Sequence, residues 1–421
     1  MLSMQFIREN PDAVHRSLIL RHTDAPVDEA LSLDEDRRCL LGEVEKLKAD
    51  RNKAGKVIGK ANDKVERDQL IAAQREAADR IDELDTQLRD VDERLRDALS
   101  QIPNLVDDSV PEGEGEEQNV VLREVGEPRT FDFEPKPHWE LGEALGIIEF
   151  EAAATMSGSR MYALRGKGAH LQRALIGYFL EAHESNGYTE MYVPAMVREE
   201  SMWASGQLPK FRDNLYHDAE EDYWLIPTAE VPLTNLHRDT VFEEADLPLR
   251  YAAHTPCFRR EKMSAGRDVR GMKRVHQFEK VEMYQFTTPE QSQAAHAEML
   301  AAAESLLQDL GLAYRVVQLS SGDLGFSARI GFDLEVWSPG VADWVEVSSI
   351  SNCGTFQARR ANVRVRSEER KPEFVHTLNG SGLPTGRVLA AILETYQVAD
   401  GSVAVPEVLQ HRMGRLMQIT A

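Results

Sequence analysis

From Leu40 onward, apolar or long-stemmed residues fall at Leu40, Val44, Leu47, Arg51, Ala54, Ile58 and Ala61, spaced alternately by four and three. This is the seam of a coiled coil. After a break near Ala61-Asn62-Asp63, the pattern returns at Leu70, Ala77, Ile81, Leu84, Leu88, Val91, Leu95 and Ala98. Two such helices predict an antiparallel hairpin over about residues 28–100. Some 30 residues at 1.5 Å rise make an arm about 45 Å long. Its seam is narrow, so it buries little beyond itself. Gly55 and Gly59 weaken the helix near the tip by about 1 kcal/mol each relative to Ala.

The pattern breaks at QIPNLVDDSVPEGEGEEQN, from Gln101, which has the Pro, Gly and acidic content of a linker. We therefore expect a first domain over residues 1–103, a linker over 104–135 and a second domain over 136–421. In the second domain LQRALIGYFLEAHESNG reads as an amphipathic helix ending at Gly187, and YTEMYVP as a strand closed by Pro194. AEMLAAAESLLQDLGL reads as a helix, while FDLEVW and WVEVSSI alternate as strands do. No strand–helix–strand cycle with a glycine fingerprint recurs. The pattern favours an α+β fold, an antiparallel sheet flanked by helices.

Charge sharpens the reading of the arm. The chain carries 71 Asp and Glu against 49 Lys and Arg, a net charge of −22, which disfavours diffuse binding to nucleic acid. Yet RNKAGKVIGKAN, residues 51–62, has four positive charges and no carboxylate. Screening acts over about 8 Å at physiological salt, so a long arm carries its tip out of an acidic body's field. Lys46, Lys48, Arg51, Lys53, Lys56, Lys60 and Lys64 are then placed to meet RNA phosphates. Cys39, Cys257 and Cys353 are few and far apart, which suits neither a disulfide framework nor a zinc cluster. No stretch approaches the ~20 apolar residues of a membrane span, and the start lacks the plan of a signal peptide. The expected location is the cytoplasm, with no membrane association.

FRREKMSAGRDVRGMKRVHQFEKVEMY, residues 258–284, reads as strand, basic loop, strand. Alternation puts Arg259 and Glu261 on one face of the first strand, and Phe278, Lys280 and Glu282 on one face of the second. Arg offers bidentate bonds to phosphate or carboxylate, Phe a stacking surface, and a carboxylate can hold an ammonium group. LNGSGLPTGRVLAAILE reads as a turn entering a helix with Arg387 in its first turn. A cation there opposes the helix dipole and calls for an anionic partner. IPTAEVPLTN puts Thr228 and Glu230 on one face, and WVEVSSISN supplies Glu346 with hydroxyls nearby, a possible oxygen set for Mg²⁺.

Taken together, FIRENPDAV, GYTEMYVPAMV, GQLPKF, PTAEVPLTN, the 258–284 hairpin, GDLGFSA, DLEVW, SNC and TLNGSGLPTGR resemble the seryl-tRNA synthetases of the common bacterial type. These are a branch of the class II aminoacyl-tRNA synthetases, and the resemblance runs end to end. It implies a class II antiparallel catalytic domain, ATP-dependent ligation of L-serine to tRNA(Ser) through a seryl-adenylate, and a homodimer. By resemblance, Arg259 grips the α-phosphate and the substrate carboxylate, and Arg387 the γ-phosphate. Arg260, Glu261, Val275, Phe278, Val347 and Ser348 complete the implied ATP site. Glu346 and Ser349 are the implied Mg²⁺ and ATP ligands. Thr228, Ala229, Glu230, Glu282, Asn379 and Ser381 are the implied serine pocket. Glu346 and Ser349 are three apart and face opposite ways on a regular strand, so a bulge or strand end must intervene. The family uses the arm on the long variable arm of its tRNA, and also charges tRNA(Sec) where that tRNA exists. The divergent branch's catalytic zinc is not expected.

Overall fold

The computed structural model describes residues 1–58, 64–262, 270–366 and 371–421. By internal contacts the chain forms two units, one of residues 2–19 and 23–103, the other of Met1, residues 20–22 and residues 104–421.

The first unit is helical: α1 Met4–Glu9, α2 Pro11–Leu20, α3 Val27–Ile58 and α4 Lys64–Gln101. Helices α3 and α4 pair antiparallel, as ion pairs between them show. Arg37 meets Asp92 at 2.5 Å, Glu43 meets Arg80 at 3.1 Å and Lys48 meets Asp85 at 3.1 Å. The predicted seam is buried at Val44, Ile81, Leu84, Val91, Leu95 and Ala98. Towards the tip it opens, and Arg51 is exposed. Its main-chain carbonyl accepts from Gln74 Nε2 at 2.8 Å. Residues 61–63, where the break was expected, lie outside the described residues, as does Lys60.

The second unit is built on eight strands: β1 Val120–Val125, β2 Thr189–Glu190, β3 Leu249–Phe258, β4 Gln277–Thr287, β5 Tyr314–Gln318, β6 Ile330–Ser338, β7 Asp343–Gly354 and β8 His376–Pro384. They form one sheet in the order β1-β5-β6-β7-β8-β4-β3-β2, antiparallel except where β2 joins β3. The α+β class read from the sequence is the observed one. Helices of this unit used below are α5 His138–Ala144, α6 Lys167–Ser185, α7 Glu230–Asn235, α8 Ser292–Asp309, α9 Phe356–Ala361 and α10 Thr385–Thr395. One sheet face presents Val281, Met283, Ile350 and Leu378 to Leu175 and Phe179 of α6, Met299 and Leu306 of α8, and Leu389 and Ile392 of α10. Burying each such side chain contributes about 1.5–3 kcal/mol, so this face is sealed and only the other is left open to a cavity.

Three local readings differ from the structure. The stretch over 104–135 is not a bare linker. Asn104 Nδ2 donates to the Ser327 and Cys353 carbonyls, both at 2.8 Å, and β1 pairs with β5. YTEMYVP contributes only the two-residue edge strand β2. TLNGSGLP is strand β8 rather than a turn. Its glycines mimic turn composition, but a Cβ on Gly382 would lie 2.4 Å from His183 Nε2, so close packing requires the glycine.

Candidate active site

Strand alternation assembles the site on the sheet face opposite α6, α8 and α10. From β4 come Phe278, Lys280 and Glu282; from β7, Ser349, Ser351 and Cys353; from β8, Asn379 and Ser381. Glu346 joins Ser349 on this face because β7 bulges. Leu334 pairs with Ser348 but Glu335 pairs with Glu346, leaving Val347 as the extra residue. Arg259 and Glu261 follow β3, and Arg387 enters from the first turn of α10. The result is a cavity of about 540 Å³. Residues 263–269 of the hairpin loop are outside the described residues.

The cavity is electrically polarised. Towards one end Lys280 Nζ contacts Glu282 Oε2. Glu230 Oε1 there accepts from Gln357 Nε2 and, at 3.2 Å, from Asn379 Nδ2. Gln357 is itself fixed, its Oε1 accepting from Tyr284 Oη at 3.0 Å and Thr377 Oγ1 at 2.7 Å. Burial pushes the Glu230 carboxyl up to about 7, and neighbouring Glu282 adds to the rise against the opposing effects of Lys280, Gln357 and Arg259. At the other end Arg387 Nη1 donates to the Glu346 carbonyl at 2.7 Å and lies 3.4 Å from its carboxylate. Desolvation raises the Glu346 carboxyl, but Arg387, Arg259 and Arg274 outweigh it and hold it below the usual range. Arg259 acts on both carboxylates and so stands between the ends. Its guanidinium lies 5.1 Å from the Phe278 ring centre, and its Nε donates to the Pro227 carbonyl at 3.3 Å.

Most sequence candidates converge here: Thr228, Glu230, Arg259, Glu261, Val275, Phe278, Glu282, Glu346, Val347, Ser349, Asn379, Ser381 and Arg387 all line the cavity. Three do not. Ala229 is fully buried in a separate apolar cluster with Leu233 and Phe286. Ser348 Oγ donates to the Ser381 carbonyl at 2.7 Å, since alternation past the bulge turns it from the cavity. Arg260 lies 5.9 Å over the Tyr216 ring. Thr228 and Glu230 meet for a reason other than strand alternation: Glu230 opens α7, and its N–H donates to Thr228 Oγ1 at 3.2 Å.

Among lining residues not singled out, Ser351 and Cys353 were within reach, because they continue the alternation of Ser349. Asp333 and Gln357 carried no local signal. Asp333 pairs with Ser349 across β6 and β7, and its Oδ1 is buried without a hydrogen-bond partner. Burial and Glu346 raise its carboxyl well above the usual range. Among the described residues no group of three His, Cys, Asp or Glu side chains is arranged to hold a metal ion.

Residues 1–106 match the seryl-tRNA synthetase N-terminal domain, and residues 210–396 the tRNA synthetase class II core domain (G, H, P, S and T). A serine--tRNA ligase of Roseiflexus sp. (strain RS-1) is 58% identical over 416 residues, 98% of each chain. The chain belongs to the seryl-tRNA synthetase family, the serine--tRNA ligases. The fold of this synthetase agrees. A crystal structure of seryl-tRNA synthetase from Pyrococcus horikoshii complexed with ATP has a TM-score of 0.93 at 38% identity, covering 100% of this chain and 99% of that one. The cytoplasmic serine-tRNA ligase from Naegleria fowleri in complex with AMP has a TM-score of 0.88 at 33% identity, again covering 100% and 99%. Among the described residues no helix of the synthetase is long and apolar enough to cross a membrane.

Proposed function

We propose that this cavity ligates L-serine to tRNA(Ser) in two steps, using ATP. The carrying observation is its polarity, with the carboxylates of Glu230 and Glu282 at one end, Arg387 beside Glu346 at the other, and Arg259 with the Phe278 ring between them. The serine ammonium and hydroxyl go to Glu230, Glu282, Thr228, Asn379 and Ser381. A buried polar set left unpaired by alanine or glycine gives discrimination through the hydroxyl. Adenine stacks on Phe278, flanked by Glu261, Val275 and Val347, and the triphosphate lies along Arg259 and Arg387.

In the first step a serine carboxylate oxygen attacks the α-phosphorus in line, forming the seryl-adenylate and releasing pyrophosphate. In the second a terminal ribose hydroxyl of the tRNA attacks the activated carbonyl, and AMP leaves. Neither needs a protein nucleophile; positioning and charge neutralisation by Arg259 and Arg387 suffice. Magnesium fits this donor set: Glu346 and Ser349 would hold it, with the unpartnered Asp333 Oδ1 behind Ser349. When bound it neutralises phosphate charge.

On the same reading residues 1–103 form the tRNA-binding domain and residues 104–421, whose sheet includes β1, the catalytic domain. Lys46, Arg51, Lys53, Lys56 and Lys64, with Lys60 beyond the described residues, meet tRNA phosphates. The first five are exposed, which supports the assignment. Lys48 is paired with Asp85 at 3.1 Å and Lys53 with Asp50 at 3.6 Å, both in exposed pairs that a phosphate can displace. The family resemblance extends the proposal to a cytoplasmic homodimer and to charging of tRNA(Sec). Pyrophosphate exchange surveyed across amino acids, followed by charging of unfractionated tRNA, tests the function. Exchange driven by an amino acid other than serine contradicts it.

A further inference from the structure

One buried polar cluster lies behind the nucleotide end of the site and has no part in the chemistry above. His138, the first residue of α5, is 1% exposed, and Glu394, near the end of α10, is fully buried. Their contact is His138 Nδ1 to Glu394 Oε1 at 2.7 Å, and the His138 main-chain N–H donates to the same oxygen at 2.9 Å. The other carboxylate oxygen accepts from Ser338 Oγ and from the Gly340 N–H at 3.1 Å. Burial raises the Glu394 carboxyl, but these contacts outweigh it and hold it below the usual range.

The opposite ring nitrogen decides what this arrangement is for. The Met272 main-chain N–H points at His138 Nε2 from 3.0 Å. An N–H can only donate, so Nε2 must present a lone pair and the ring proton must sit on Nδ1, facing Glu394. The preceding residue must be glycine. Gly271 has φ +67°, and a Cβ there would lie 2.1 Å from His138 Nε2. Met272 leads directly into Lys273, Arg274 and Val275, which form a wall of the cavity. The Lys273 carbonyl accepts from Arg387 Nε at 3.1 Å. Arg387 and Glu394 are both on α10, two turns apart. The helix therefore grips residues 272–275 twice, once through Arg387 and once through Glu394 and the imidazole.

We propose that His138 is a positioning residue for nucleotide binding, whose unprotonated Nε2 fixes the 272–275 wall, and with it Arg387, through the Met272 amide. Removing that acceptor lets the wall and the phosphate arginine shift together. The serine end is held by other residues, Gln357 and Asn379, and does not move. The proposal rests on reading the arginine-rich end as the nucleotide end.

Two substitutions separate the ring's nitrogens. His138→Gln places an amide oxygen where Nε2 was and keeps an acceptor for Met272, whereas His138→Asn keeps only a donor towards Glu394. In pyrophosphate exchange, His138→Asn raises the KM for ATP at least about fivefold with the KM for serine unchanged, and His138→Gln restores the ATP value to within about twofold of wild type. Equal ATP values in the two variants, or parallel shifts in both substrates, overturn the proposal. Phe278→Ala is the control for the underlying reading. A raised ATP KM in Phe278→Ala but not in His138→Asn defeats the proposal alone, whereas no rise in Phe278→Ala defeats the nucleotide-end assignment itself. The wild-type full chain, ¹⁵N-labelled at histidine, gives a reading that needs no variant to fold. It shows one imidazole with a strongly downfield Nδ1 proton and an unprotonated, hydrogen-bonded Nε2; absence of that signature overturns the proposal.

Discussion

If Glu230 holds the serine ammonium as proposed, serine binding titrates near neutral pH. Its carboxyl is pushed up to about 7 by burial and by Glu282, and Lys280 neutralises only one of the two charges. The substrate ammonium stays protonated throughout and supplies the missing positive charge, so it binds the ionised form. A carboxyl titrating near 7 is about one-tenth ionised at pH 6 and about nine-tenths at pH 8. Raising the pH through this window therefore lowers the serine KM, by about tenfold over the two units. The assay is serine-dependent pyrophosphate exchange at saturating ATP, with the KM for ATP measured in parallel as a reference. Glu230→Gln raises the serine KM overall and abolishes its pH slope, because the amide does not titrate. A serine KM that is flat from pH 6 to pH 8, or one whose slope survives in Glu230→Gln, refutes the reasoning.

Three further outcomes follow. Phe278→Ala removes a stacking surface of about 1–2 kcal/mol and raises the ATP KM about 5- to 30-fold in exchange assays, with the serine KM little changed. Reversing charge at Lys53 and Lys56 to Glu leaves exchange at the wild-type rate but weakens tRNA charging, with a shallower salt dependence than wild type; a parallel loss of both activities contradicts the division of labour. Leu84→Ala, at a fully buried seam position, destabilises the α3–α4 pair by about 2–5 kcal/mol, seen as a lower melting temperature of part of the helical circular-dichroism signal.

The parts of this protein legible in its sequence are those fixed by local periodicity. The seam from Leu40 to Ala98 and the alternation through Phe278, Lys280 and Glu282 each follow from backbone geometry, which repeats whatever lies across from it. Glu346 and Ser349 mark the edge of that legibility. Their spacing demanded a break in the strand, and the break is the bulge at Val347, whose place is set by pairing with β6. What escaped was decided by the partner. Ser381 looked like a turn residue because Gly382 beside it is needed to clear His183. The Val120–Val125 strand followed an acidic, Gly- and Pro-rich run and shows itself only through its pairing with β5. Gln357 orients Glu230 from 127 positions away, and no pattern along the chain announces a hydrogen bond of that kind.

The central claim is that one cavity holds a nucleotide against Arg259, Phe278 and Arg387 and a small hydroxylated ammonium compound against Glu230 and Glu282. A crystal of the full chain with a non-hydrolysable sulfamoyl analogue of seryl-adenylate tests this most directly. The account predicts adenine against Phe278, the sulfamoyl group at Arg259 and the ammonium at Glu282. Full occupancy at any other position on the chain, or the same cavity occupied with the two ends exchanged, would contradict it.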